Sequence, residues 1–357
     1  MESSTKKLDE LLEQIYENED RDELLNDLFA FGIDPSSHNF EEGLLKSLDG
    51  MLNAESEEYS QEELQQNVVP FLSKSITVFP SSFLTDLPYY KVLSKIKPFR
   101  EDDIEFRFLN YDPYEPFVCN DRVVETGLSS FTPIGCFVKK TPYPAILKNG
   151  RIWMSLIPHE VNTMKDIFAS FSGSVLLYGL GLGYAAFEAS QKSKVKKVTV
   201  IEYDKDLIRL FKQRILPFFP HSEKIEIRYM DALDFAFENK DKASYDVLFA
   251  DLWHNGEDGL PLYSVLTKNE GAAKRSFYWI ENDILEYFSR IYARYLLCVC
   301  NGGVMSKKTR KQYPSSVNAV FDAIEKFVPS PSIDNLLNRS SLKRIISSLK
   351  IEKTDLR

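Results

Sequence analysis

The most regular pattern of apolar and polar positions lies between residues 175 and 202, VLLYGLGLGYAAFEASQKSKVKKVTVIE. Two short apolar runs, 175–178 and 198–201, have the length of buried strands, and a glycine-rich turn and a helix-length segment separate them. A strand, a helix and a second strand in this order form a unit in which the two strands run parallel. We therefore predict an α/β fold with a doubly wound, Rossmann-like parallel sheet.

Two more strand-like segments follow at the spacing that such a sheet requires. Residues 224–231, KIEIRYMD, alternate apolar and polar positions, and residues 245–251, YDVLFAD, form an apolar run. Acidic residues close three of the strands: Glu202, Asp231 and Asp251. The carboxyl ends of parallel strands lie at one edge of the sheet, where α/β proteins bind their ligands. We therefore expect a ligand site at this edge.

The turn after the first strand has the pattern G-x-G-x-G, formed by Gly179, Gly181 and Gly183. A dinucleotide fingerprint, G-x-G-x-x-G, would need a glycine at position 184, where this chain has Tyr184. The pattern resembles motif I of the class I S-adenosylmethionine-dependent methyltransferases. That resemblance implies a methyltransferase sheet, with S-adenosyl-L-methionine as the cofactor and the three glycines beside it.

The same resemblance implies roles for the acids that follow the strands. Glu202 would bind the ribose hydroxyls, and Asp231 with Ala232 would lie beside the adenine. Asp251 stands where motif IV carries the acid that orients or deprotonates the acceptor. His254 is a second candidate base near neutral pH, or alternatively a loop histidine bonded to backbone.

Residues 145–164, AILKNGRIWMSLIPHEVNTM, predict two strands joined by an Asn-Gly turn and a helix that starts at His159-Glu160. This arrangement resembles the entry to the catalytic domain of spermidine and spermine synthases, and the likeness spans roughly residues 100–300. Two positions depart from that branch: Leu182 and His254 stand where aminopropyltransferases carry carboxylates that hold ammonium groups. A buried cation without such a partner costs several kcal/mol.

Methyl transfer to an unidentified small-molecule or protein acceptor is therefore the favoured function, and a small-molecule acceptor is the favoured partner. Aminopropyl transfer from decarboxylated S-adenosylmethionine is the alternative. A third hypothesis is a non-catalytic interaction protein that retains the fold, because Tyr178 occupies a strand end where many family members have an acid.

Composition narrows the class of protein. The chain has 357 residues, 43% of them hydrophobic, and no apolar run reaches the length of a membrane span. Residues 1–18 are charged and lack a signal-peptide core, and the four cysteines have no metal-ligand spacing, so we expect a cytoplasmic enzyme without a metal site. A pI near 5.2 argues against nucleic acid as a partner, and a homodimer remains open.

The distribution of charge and residue types along the chain predicts four structural units. Residues 1–66 hold 19 Asp or Glu against 4 Lys or Arg, and leucines at helical spacing suggest short amphipathic helices there. Residues 67–170, rich in aromatic residues and proline, predict a small β-rich domain with a hairpin that could form one wall of an acceptor pocket. Residues 171–306 would form the cofactor-binding domain, and residues 307–357 a basic helical tail.

The segment after Asp251 predicts three further elements. Residues 255–261 are rich in Gly, Asn and Asp and indicate a loop over the carboxyl edge of the sheet. Residues 284–295 have the apolar spacing of a helix, and residues 296–300 would be the fifth strand. Residues 316–327 and 335–349 read as helices, where methyltransferase sheets usually finish with an antiparallel pair of strands.

Overall fold

The computed structural model describes residues 2–31, 43, 46–48, 50, 69–300 and 306–349, and it begins with one long helix, α1 (Glu2–Phe31). The expectation of several short helices is wrong for this segment. Leu8 and Leu12 are buried in the main hydrophobic core, and Leu25 and Leu28 belong to a second cluster near the other end of the helix. Since apolar residues face the protein along most of α1, its packing stabilises a single continuous helix.

A β-rich region follows α1 and contains three small sheets. Strands β1, β7 and β4 form one sheet, β2, β3, β8 and β9 form an antiparallel second, and β5 pairs with β6. The elements are α2 (Val69–Ser75), β1 (Ile76–Phe79), α3 (Ser82–Thr85), α4 (Pro88–Leu93), β2 (Phe99–Glu101), β3 (Ile104–Tyr111), β4 (Phe117–Val118), β5 (Val123–Val124), β6 (Ser130–Phe131), β7 (Ile134–Phe137), β8 (Thr141–Lys148) and β9 (Arg151–Ser155).

The predicted Asn-Gly hairpin joins β8 to β9. Asn149 and Gly150 have φ of 53° and 75°, as a two-residue turn of the I′ type requires. This turn fixes the pairing of the two strands and so directs β9 towards the central sheet.

The central sheet has five parallel strands in the order β12-β11-β10-β13-β14. In chain order this is 3-2-1-4-5, the arrangement of a doubly wound Rossmann-like sheet, so the predicted fold class is confirmed. Its elements are α5 (Pro158–Ala169), β10 (Gly173–Tyr178), α6 (Tyr184–Gln191), β11 (Val195–Glu202), α7 (Lys205–Leu210), a π turn (Phe211–Ile215), 3-10 turns (Leu216–Phe218, Ser222–Lys224 and Glu270–Ala272), β12 (Ile225–Tyr229), α8 (Ala232–Asn239), β13 (Val247–Ala250), α9 (Gly256–Leu266), β14 (Ser276–Tyr278) and α10 (Glu281–Cys300).

The strand order reverses at β10. The chain passes from β10 to β11 on one side of it and later returns to β13 on its other side. Every residue of β13 is buried, and so are the last four residues of β10, because helices cover both faces of a parallel sheet. The carboxyl ends of these strands lie at the switch point, where such sheets form their ligand crevice.

The predicted fifth strand is wrong. Residues 296–300 continue α10, and the fifth strand is instead the short segment Ser276–Tyr278, which pairs with β13. An apolar run of five residues has the same composition in a strand and in a buried helix turn, so periodicity cannot separate the two. The helix expected over residues 284–295 is confirmed, and its predicted apolar face, including Ile284, Phe288 and Tyr292, is buried.

The predicted loop over residues 255–261 is also wrong, because α9 begins there. The Asn255 side chain accepts hydrogen bonds from the N–H groups of Glu257 and Asp258, and the Asp258 carboxylate accepts one from the Asn255 N–H, which completes a capping box. Close packing compensates for the weak helix preference of glycine: a side chain at Gly256 would collide with the backbone of Asp283.

The described part of the carboxyl-terminal region, residues 306–349, is largely helical, as expected. Its helices are α11 (Lys307–Arg310), α12 (Ser315–Phe327), α13 (Ile333–Leu336) and α14 (Arg339–Ser348). Within the described ranges, no antiparallel pair of strands extends the central sheet after β14. Among those same residues, no helix combines the length and the apolar composition that crossing a membrane would need.

Candidate functional site

A cavity of about 330 Å³ lies at the carboxyl edge of the central sheet. It is bounded by the ends of β10, β11 and β13, the hairpin strand β9 and the first turn of α5. The lining residues are Ile152, Trp153, Met154, Ser155, Glu160, Gly179, Gly181, Glu202, Tyr203, Asp251, Leu252, Trp253, His254 and Trp279. We call this space the edge cavity. Its position matches the ligand crevice of doubly wound sheets.

Five of the predicted site residues line the edge cavity: Gly179, Gly181, Glu202, Asp251 and His254. The chain separates these residues by up to 75 positions, and the switch point brings them together. The β-rich region contributes residues 152–155 of β9, so the hairpin forms one wall of the cavity as the sequence suggested.

Gly179 and Gly181 shape the floor of the edge cavity. Gly179 has φ of +92°, and a Cβ there would lie 2.3 Å from the carbonyl oxygen of Asp251. Gly181 has φ of +57°, and the heavy atom nearest to a Cβ there would be Met154 Sδ, at 3.5 Å. Side chains rarely adopt this backbone conformation, and any side chain at 181 would take up room in the cavity.

The other three predicted cofactor residues do not line the edge cavity. Gly183 precedes α6, and a Cβ there would meet the ring of Phe211 at 2.4 Å, so its glycine is required by packing. Asp231 caps α8 by accepting hydrogen bonds from the N–H groups of Leu233 and Asp234. Ala232 is the first residue of that helix.

Glu202 connects the glycine turn to the end of β11. Its side chain is 5% exposed, and its carboxylate accepts backbone hydrogen bonds from Leu180 (3.0 Å), Tyr203 (2.8 Å) and Asp204 (2.9 Å). Burial raises its pKa, and these three N–H donors oppose that rise. A carboxylate has about four lone-pair sites, so Glu202 retains acceptor capacity for a ligand hydroxyl.

On the expectation that Glu202 binds the ribose hydroxyls of S-adenosylmethionine, Glu202→Gln should weaken that binding about tenfold or more. The amide has no charge, and charge-assisted hydrogen bonds contribute about 1.5–3 kcal/mol. The melting temperature should also fall, since a single amide oxygen replaces the two carboxylate oxygens that accept the three N–H groups. Calorimetric titration below the melting temperature measures the affinity. Glu226→Gln is the control, because this half-buried acid of β12 pairs with Lys197 on β11 and Arg228 on β12 and does not line the edge cavity. If Glu202→Gln bound S-adenosylmethionine with wild-type affinity, that result would contradict a role for Glu202 in binding the ribose hydroxyls.

Two carboxylates, those of Asp251 and Glu160, line the edge cavity, and Asp251 lies next to Gly179 of the glycine turn. The Asp251 N–H donates to the carbonyl of Tyr178, which fixes the residue at the end of β13. Burial raises the pKa of Asp251 to about 7, although the nearby His254 opposes this. Burial and the charge of Asp251 together raise the pKa of Glu160 well above its ordinary value. Within the described structure, neither Lys nor Arg lines this cavity.

From the sequence, Glu160 was recognised only as part of the start of a helix. Pro158 at the first position of α5 sets the helix, and Glu160 falls in its first turn. An acid is common at such a position for helix stability alone. The only signal that could have marked it was its place directly after the predicted hairpin.

Two tryptophans line the edge cavity together with the two carboxylates. The indole N–H of Trp253 donates to the carbonyl of Trp279, and that of Trp279 donates to Thr163 Oγ1, both at 2.9 Å. Trp253 is 3% exposed, so it anchors its loop in the core and also borders the cavity. Buried indole faces beside carboxylates suit a cationic ligand.

His254 lies at the rim of the edge cavity. Its side chain is 73% exposed, and Nδ1 lies 3.0 Å from the Asp258 carboxylate of the capping box. Asp251 lies deeper and is held by the sheet, so the two candidate bases differ in their access to a bound acceptor.

The two remaining positions named in the sequence have packing roles. Leu182 is 5% exposed, and its carbonyl accepts a hydrogen bond from the Tyr89 hydroxyl. Tyr178 is 1% exposed and packs against Phe235 under the sheet edge.

Comparison with known proteins supplies structural likenesses only. No protein-family model matches the sequence, and no curated protein does. Spermidine synthase from Thermotoga maritima is similar at 14% identity and a TM-score of 0.30, over 73% of this chain and 86% of that one. A spermidine synthase in complex with the transition-state analogue AdoDATO shows 13% identity and a TM-score of 0.28 over the same shares. MNMC2 from Aquifex aeolicus shows 14% identity and a TM-score of 0.27, over 64% of this chain and 70% of that one.

Likeness at these scores concerns the fold alone, and the spermidine synthases among these neighbours are enzymes of the transferase class. The function of this chain is therefore argued from the side chains of the edge cavity.

Proposed function

We propose that this protein is an S-adenosylmethionine-dependent methyltransferase that acts on an amine in the edge cavity. The observation that carries the proposal is the pair Asp251 and Glu160, which face one cavity beside a glycine turn and Glu202 without a Lys or Arg in the described lining. Carboxylates in such surroundings favour cationic ligands. A sulfonium donor and an ammonium acceptor are both cations.

The glycine-turn side of the edge cavity suits the donor. Glu202 would accept hydrogen bonds from the ribose hydroxyls, and the room beside Gly181 and Met154 would admit the chain of the donor. The backbone N–H group of Gly181, which lines the cavity, has no acceptor in the part of the chain that the structure describes. A free N–H group of a turn can receive a carboxylate, which the intact donor carries.

The part of the edge cavity that Asp251, Glu160 and the two tryptophans line suits an amine acceptor. Asp251 and Glu160 would hold the ammonium group, and the indoles of Trp253 and Trp279 would exclude water around it. Asp251, with a pKa of about 7, can take the proton that the amine must lose before it attacks. S-Adenosylmethionine supplies an activated methyl group, and the transfer is an in-line displacement that depends on alignment.

Aminopropyl transfer remains the second candidate, because an acid-rich cavity also suits decarboxylated S-adenosylmethionine and a diamine. The structure offers one observation against it. Leu182, at the position where aminopropyltransferases carry an aspartate for the donor amine, is buried in the core and does not line the edge cavity.

We expect the intact donor to bind at least about tenfold more tightly than the decarboxylated form, since only the intact donor has a carboxylate for the free N–H group of Gly181. Competition calorimetry with both forms measures the difference. The control is S-adenosylhomocysteine, which keeps the carboxylate and lacks the methyl group. Equal affinity, or preference for the decarboxylated donor with putrescine-dependent turnover, would favour aminopropyl transfer. Absence of binding by all three would favour the non-catalytic interaction protein.

A further inference from the structure

A second group of polar side chains lies beside Trp279, outside the edge cavity. Asp121 follows β4, His159 is in the first turn of α5, and Asp283 is in the first turn of α10. One ligand atom from each residue lies within 4.8 Å of the other two. Three chain segments far apart in sequence thus present two carboxylate oxygens and one imidazole nitrogen to a common point.

Two of these residues carry an atom that has no hydrogen-bond partner within the described residues. Asp121 Oδ1 and His159 Nε2 are both buried from solvent and unpaired. A buried polar atom without a partner costs about 1–3 kcal/mol, so two in one place indicate that something else satisfies them. Burial lowers the pKa of His159 to about 4, so its imidazole is neutral and can act as a ligand.

The neighbouring basic side chains are engaged elsewhere. Arg122 donates its backbone N–H to Asp283 Oδ1 at 3.1 Å, but its guanidinium pairs with Asp22 on α1. Arg339 donates to Glu281 at 3.1 Å. Among the residues that the structure describes, no cationic side chain is therefore bonded between the two half-buried carboxylates.

We infer that Asp121, His159 and Asp283 form a binding site for one divalent transition-metal ion such as Zn²⁺. One imidazole nitrogen and two carboxylate oxygens are donors that Zn²⁺ accepts, at about 2.0–2.2 Å. Ligand atoms around such an ion lie about 3.4 Å apart, so small side-chain rotations would close the present spacing. Three protein ligands leave a position for water. Asp121 also lines a cleft of about 610 Å³, which gives the ion a path from solvent.

The site would hold together elements that shape the edge cavity. His159 precedes Glu160 in the first turn of α5, and its ring packs edge-on against Trp279 at 5.7 Å between centroids. Asp283 lies at the start of α10. An ion at this point would therefore fix the position of one cavity wall, independently of whether the proposed reaction is correct.

The test is metal titration of the full-length protein after removal of metal with a chelator, with no donor present. We expect one equivalent of Zn²⁺ to bind and to raise the melting temperature, and Co²⁺ to replace it with an absorption spectrum of nitrogen and oxygen ligation. Asp121→Asn and His159→Gln should each weaken Zn²⁺ binding at least about tenfold. Asp166→Asn and His221→Gln are matched controls, because Asp166 lines the same cleft but is exposed, and His221 pairs with Glu223 on the surface.

The melting temperature separates loss of the site from loss of the fold. Without metal, Asp121→Asn should melt no lower than the wild type, since it removes one of two like charges, yet Zn²⁺ should no longer raise its melting temperature. If Asp121→Asn and His159→Gln both bound Zn²⁺ as tightly as the wild type, the inference would be overturned. The absence of binding at micromolar Zn²⁺ to the folded wild-type protein would also overturn it.

Discussion

Replacement of Asp251 by asparagine is expected to lower turnover about 10²–10⁴-fold, the usual contribution of a positioned base. Affinity for S-adenosylmethionine should change less than turnover, because the contacts proposed for Glu202 and the turn at Gly181 are kept. Release of S-adenosylhomocysteine at saturating donor measures turnover with a responsive amine, and calorimetry measures donor affinity.

The pH profile follows from the raised pKa of Asp251. Below pH 7 the carboxyl group holds its proton and cannot accept another, so kcat/KM of the wild type should rise with pH and level off above about pH 7. Stability should respond in the opposite direction. Because the folded-state pKa lies above the unfolded value, the stabilisation from the protonated group is present at low pH and lost as pH rises through about 7. Asp251→Asn, which stays neutral, should therefore melt higher than the wild type at pH 8.

His254→Gln is the comparison that separates the two candidate bases. This histidine is exposed at the rim and bonded to Asp258, so its loss should lower turnover less than about tenfold. If turnover were nearly normal in Asp251→Asn and much lower in His254→Gln, the base would be His254 at the rim instead.

Gly181→Val should abolish donor binding, with a loss of affinity of about 100-fold or more. The new side chain would begin in the space beside Met154, and its methyl groups would occupy the room proposed for the donor. The backbone φ of +57° adds strain, so the stability of the variant must be measured in parallel. Calorimetry with S-adenosylmethionine measures the affinity.

Gly150→Val provides the matched control for Gly181→Val. Gly150 also has a positive φ, +75°, but nothing lies within 4 Å of a Cβ there. The control thus carries the same kind of backbone strain outside the edge cavity and should bind the donor normally. Donor binding by a folded Gly181→Val variant at wild-type affinity would show that the turn has a structural role only.

The sequence predicted the central sheet well, because its first four strands are short runs with strand periodicity that alternate with segments of helix length. It predicted the edge residues Gly181, Glu202 and Asp251 because the carboxyl ends of parallel strands must share one edge. It failed at β14, a three-residue strand too short to have a periodicity, and at α9, where packing around Gly256 and Gly259 outweighs their poor helix preference.

Two features that sequence reasoning missed, one in the edge cavity and one outside it, depend on contacts between distant segments. Glu160 and Asp251 line the same cavity although 91 positions separate them in the chain. The cluster of Asp121, His159 and Asp283 brings together residues from three separate segments. The expectation of no metal site rested on cysteine spacing, which carries no information about a His and two Asp residues brought together by folding.

A crystal structure of the protein grown with S-adenosylmethionine would show directly whether the edge cavity binds the donor. We predict the donor in the edge cavity, with its ribose hydroxyls on Glu202, its methionine chain beside Gly181 and its sulfonium facing Asp251 and Glu160. An edge cavity that stays empty at millimolar donor, or a donor bound elsewhere on the protein, would contradict this prediction.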